Sequence, residues 1–78
     1  MKLDENELDE LNVLLQFDLS NTQQGIKIHN DAETNVTKAA ARLFEKGLID
    51  QLDGGYLTPL GITTAEHANA IAGLLTTS

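Results

Sequence analysis

Residues 43–61, LFEKGLIDQLDGGYLTPLG, leave a chain of this kind few ways to fold. They read as the end of a helix, a glycine stop, a short β-hairpin and the beginning of a last helix. Leu43 and Phe44 end an amphipathic run, and Gly47 follows where a helix C-cap glycine would sit. Residues 49–52 and 56–58 flank Asp53-Gly54-Gly55, a strong hairpin-turn signal. With Gly54-Gly55 as the two-residue loop, Leu52 and Leu57 would face the body, although the sequence leaves that register open. Pro59 and Gly61 close the unit.

Apolar periodicity places helices on either side of this stretch. Residues 4–17 read as a first helix, with Leu8, Leu11 and Leu15 on one face and Leu14 widening it. The acids of its first turns suit the positive end of the helix dipole. Val13 and Phe17 form a second apolar strip, which is either core or a partner surface. For residues 21–27 a short helix is the preferred reading, with Ser20 as N-cap and Gln23 completing a capping box. The competing reading makes residues 25–29 a short strand, from the alternation of Ile26, Lys27 and Ile28. A capping-box-like start at Asn30 and Glu33 opens a helix running to Lys46. Its inward face is Ala32, Val36, Ala39, Ala40 and Leu43, and Asn35, Lys38, Arg42 and Lys46 form a solvent stripe. Thr63 and Glu66 read as the capping box of a last helix, where Ala68, Ile71, Ala72 and Leu75 repeat at helical spacing.

The chain has 78 residues, enough for one small domain over 1–78, and no cysteine to staple it. No apolar run approaches the roughly 18 residues of a membrane span. The N-terminus is acidic without an apolar signal region, so the expected location is cytoplasmic. The net charge is −7, unevenly spread. Residues 1–20 carry one lysine against six acids, residues 50–78 carry three acids and no base, and the other four bases lie between. A phosphate backbone repels such a chain at long range, so duplex DNA is disfavoured.

Helix, hairpin and helix in this order resemble a winged helix–turn–helix domain. Leu43-Phe44-Glu45-Lys46-Gly47-Leu48-Ile49 followed by residues 55–61, GYLTPLG, resembles the recognition-helix end and wing of bacterial winged-helix regulators. Residues 11–20, 22–27, 46–49 and 53–58 also resemble a small family of uncharacterised gammaproteobacterial proteins. Some of its members are labelled DNA-binding proteins, transcriptional regulators or relatives of the Id-type inhibitors of DNA binding. The resemblance implies an α+β, mostly α, winged-helix-like domain, with three to four helices, a hairpin wing and a last helix. The helix–loop–helix dimer that the Id label implies conflicts with the Asp53-Gly54-Gly55 hairpin.

Three classes of function follow. As a DNA-binding regulator, the chain would lay helix 31–46 in the major groove, with Thr34, Asn35 and Lys38 toward bases and Lys27, Arg42 and Lys46 toward phosphates. Asp31 and Glu33 at the start of that helix, and Asp50 and Asp53 in the wing, oppose this. As a regulatory or adaptor module, it would act through protein–protein contact as a homodimer or on another protein. Val13, Phe17, Ile71 and Leu75 would then form the partner face. As an enzyme it lacks the parts: His29 and His67 stand alone, and there is no phosphate loop, nucleophile elbow or metal-ligand spacing. No catalytic, cofactor or metal residue is assigned. The interaction module is the leading expectation and DNA binding the alternative.

Overall fold

The computed structural model describes residues 1–29 and 31–77. It is a small α+β fold, about half helical, with three helices and a three-stranded antiparallel sheet. The elements are α1 (Glu5–Leu14), β1 (Ile26–Lys27), α2 (Thr34–Glu45), β2 (Ile49–Gln51), β3 (Gly54–Leu57) and α3 (Pro59–Leu75). Strand β3 is central, in the order β1-β3-β2.

Helix α1 begins with a full capping box. Asp4 accepts from the Glu7 amide, and Glu7 accepts from the Asp4 amide, each at 2.9 Å. The helix is shorter than the expected 4–17. Beyond Leu14, the amides of Gln16 and Phe17 turn back to the carbonyls of Val13 and Leu14, tightening the chain into turns. That tightening drives Phe17 inward.

The helix expected over 21–27 does not form. Only Ile26 and Ile28 are apolar there, and their two-residue spacing suits a strand with Ile28 inward. Strand β1 pairs Ile26 with Gly55 and Lys27 with Gly54, and the Ile28 amide donates to the Asp53 carbonyl at 2.7 Å. Ser20 caps nothing; its amide and hydroxyl both donate to Asp18. Hence no helix–turn–helix pair exists among the described residues, because β1 stands between α1 and α2.

Helix α2 carries the expected inward face: Ala39, Ala40 and Leu43 are buried, with Ala32 and Val36 packed against the core. It starts at Thr34 after Glu33, whose side chain makes no capping bond. The expected Asn30 cap lies outside the described residues. The helix stops as expected. Gly47 has φ +78, its amide bonds to the Phe44 carbonyl, and the Leu48 amide bonds to the Leu43 carbonyl. This is a complete Schellman motif.

The hairpin is where the sequence puts it, with a different tip. Gln51 pairs with Gly54, so Leu52-Asp53 form the turn and Leu52 is exposed. The register slips between Ile49 and Gln51. In that bulge the Asp50 carboxylate captures the Tyr56 amide at 2.8 Å.

The last helix starts at Pro59, four residues before the expected Thr63. Thr58 is the N-cap: its hydroxyl accepts from the Gly61 amide and donates to the Gly47 carbonyl. Proline at the first helical position loses no bond. The Thr63 and Thr64 hydroxyls instead donate back to the Pro59 and Leu60 carbonyls. Gly61 is inside the helix and belongs to the packing, since a methyl there would overlap the Leu48 carbonyl oxygen.

The core is a single cluster. Val13, Leu14 and Phe17 meet Ile28, then Ala39, Ala40 and Leu43 of α2, Ile49 of β2 and Ala65 of α3. Val13 is 1 % exposed and Phe17 5 %. This corrects the proposed Val13/Phe17 partner face, which is interior. The face read as core, Leu8, Leu11 and Leu15, is the one left only partly covered, with Leu8 exposed.

Candidate functional site

Two features answer to the sequence-derived candidates: a charge cluster between α1 and α2, and an apolar furrow between α1 and α3.

The charge cluster centres on Glu10, whose side chain is 9 % exposed. Arg42 Nε donates to Glu10 Oε2 at 2.9 Å, Arg42 Nη2 donates to the Asn6 carbonyl at 3.1 Å, and Lys46 Nζ pairs with Glu10 Oε1. Two turns back along α2 from Arg42, Asn35 Nδ2 donates to Asp9 Oδ1 at 3.2 Å. Burial acts to raise the Glu10 pKa, but the hydrogen bonds and charges of Lys46 and Arg42 outweigh it. The carboxyl is held below its usual value.

This placement changes the expected nucleic-acid face. Asn35, Lys38 and Lys46 face water and Arg42 is half-buried, so the stripe is on the surface as expected, but Asn35, Arg42 and Lys46 also hold α2 to α1. Lys27 lies across the sheet, 3.6 Å from Asp53, in an exposed pair. Thr34 is the exposed first residue of α2, and its carbonyl takes the Thr37 hydroxyl. Lys38 is exposed and has no ion-pair partner among the described residues. Among the described residues, three of the four cations in this set, Lys27, Arg42 and Lys46, are thus paired with carboxylates.

Sequence reasoning missed Glu10, reading it as one more acid near the helix start. The signal was its spacing. Glu10, Val13, Leu14 and Phe17 fall at i, i+3, i+4 and i+7, and this is the face that is buried. A carboxylate on such a face needs cations from a neighbour. Arg42 and Lys46, four apart on α2, supply them.

The furrow is lined by Leu8, Leu11 and Leu15 from α1 and by Ala68, Ile71 and Leu75 from α3. No charged side chain lines it. Leu11 and Ile71 also wall a second hollow that Leu3 borders, but Glu7, Glu10 and Lys46 line that hollow too, so the uncharged surface ends near Ile71. Of the expected partner face, Ile71 and Leu75 are thus on the surface, 54 % and 79 % exposed, while Val13 and Phe17 are not. Ile71 and Leu75 were legible from helical spacing; their companions on α1 were assigned to the core.

Among the described residues no three His, Cys, Asp or Glu side chains gather as a metal site, and no helix is long and apolar enough to cross a membrane. No curated protein and no solved structure matches the chain. A family model described as a family of unknown function (DUF5669) matches residues 1–76, and the chain belongs to that family.

Proposed function

We propose that this DUF5669 member is a non-catalytic, cytoplasmic interaction module of winged-helix type, a regulator or adaptor that works by protein–protein contact through the α1–α3 furrow. The winged-helix reading is supported by connectivity. A helix and a short strand precede α2, and α2 runs straight into a hairpin whose second strand lies between β1 and β2. That likeness is one of architecture and does not carry function with it.

One observation carries the functional reading. Two of the cations a duplex would need, Arg42 and Lys46, are engaged by Glu10 between α1 and α2, while the furrow stands uncovered. To reach a phosphate, Arg42 would give up its bond to Glu10 Oε2 and leave a mostly buried carboxylate with Lys46 alone, a cost phosphate contact must first offset. The remaining surface is acidic, which opposes approach to DNA.

The test is fluorescence anisotropy on pooled duplex fragments at low and moderate salt. The expected result is no binding at either. Tight binding that weakens with salt, and that Arg42→Ala reduces on every sequence, would overturn this reading. The alternative would then stand, a transcriptional regulator with α2 in the major groove.

A further inference from the structure

We infer that the furrow receives a second copy of this chain, the two packed about a two-fold axis through their α3 faces. This rests on the interaction-module reading and names its partner. Leu60, Ile71, Leu74 and Leu75 fall on one side of α3, and all four are exposed, Leu74 by 78 % and Leu75 by 79 %. Glu66 and Asn69 fall on the other side. The exposed stripe runs into the furrow at Ile71 and Leu75, so ridge and hollow adjoin on one surface. A two-fold contact requires that arrangement, because each copy must present both halves of the fit.

Charge selects the occupant. Glu66 is the only formally charged residue within α3. Two chains of net charge −7 can meet over the furrow, whose lining carries no charged side chain, with Glu7 and Glu10 kept to the hollow beyond Ile71. A basic partner would be drawn instead to the adjoining hollow, where Glu7 lies, and not to the uncharged furrow. The exposed apolar side chains elsewhere are interleaved in sequence with charges, Met1 and Leu3 with Lys2 and Asp4, and Phe44, Leu52 and Tyr56 with Glu45, Asp50 and Asp53, and offer no comparable neutral face.

Extent agrees. A stable dimer buries about 800 Å² of each partner, roughly a seventh of this chain's 5443 Å². Helix α3 is 17 residues, about 25 Å, long; Leu60 is exposed in its first turn and Ile71, Leu74 and Leu75 at its end, beside the Leu8, Leu11 and Leu15 ridge, with exposed His67 between the two.

The experiment is sedimentation velocity on the full chain, from low micromolar to near-millimolar concentration. It compares wild type with Leu74→Asp, Leu75→Asp and, as a control on the hairpin tip, Leu52→Asp. All three positions are exposed, so circular dichroism should show unchanged folds. The expected result is a dimer for wild type and Leu52→Asp, with dissociation constants raised at least about tenfold by each α3 change. A monomeric wild type, or a dimer that survives both α3 substitutions, overturns the inference. Neither result touches the anisotropy measurement, so failure of the dimer and failure of the interaction-module reading are told apart.

Discussion

A carboxylate nine-tenths removed from water stays ionised only where cations meet it, and at Glu10 two do. Glu10→Gln leaves Arg42 and Lys46 facing a neutral amide. It should cost about 1–3 kcal/mol at neutral pH, because both cations keep partial access to water. The urea midpoint checks this. Because the folded pKa of Glu10 lies below its unfolded value, its contribution is complete above the ordinary glutamate range. It is lost as pH falls through that depressed folded value. The gap between wild type and Glu10→Gln should therefore close on acidification. A gap that stays constant with pH would show that the ion pairs do not stabilise the fold.

At the scale of the element, α1 and α2 begin differently. Helix α1 has a complete capping box and α2 has an N-cap glutamate whose side chain makes no capping bond. Asp4→Ala should cost about 1 kcal/mol, and Glu33→Ser should add about 0.5–1 kcal/mol by giving the first turn of α2 an acceptor. Denaturant midpoints for the two variants should move in opposite directions. Equal and unchanged midpoints would mean that neither helix end limits stability. The hairpin shows the same dependence on local chemistry. Its tip is Leu52-Asp53 because Gly54 and Gly55, both at positive φ, are taken into β3 beside the bulge. Glycine marked the turn region correctly without marking its centre.

For the whole molecule, a net charge of −7 within a radius of gyration of 12.0 Å is a self-repulsion spread over a distance close to the ~10 Å screening length at 0.1 M salt. Moderate salt should raise the thermal midpoint by roughly 2–4 °C, measured calorimetrically at one fixed protein concentration. Glu10 itself is largely withdrawn from water, so its pair with Arg42 should lose little over the same range and its pair with the more exposed Lys46 somewhat more. A falling midpoint would mean that screening the internal pairs outweighs relief of the surface repulsion.

Much of this fold was written in local signals. The α+β class, the span of the hairpin, the Gly47 stop and the inward face of α2 all follow from turn conformation or helical period, which a few neighbouring residues settle. Two things depended on contacts distant in the chain. Strand β1 exists only because β3 supplies its hydrogen-bond partners, so residues 25–28 alone could not choose between helix and strand. Helix α1 has two apolar faces, and the leucine-rich one looks the better core. The face containing Glu10 turned inward because Arg42 and Lys46, over thirty residues away, neutralise its charge. That choice left Leu8 and Leu11 outside beside Ile71 and Leu75, and so made the candidate site.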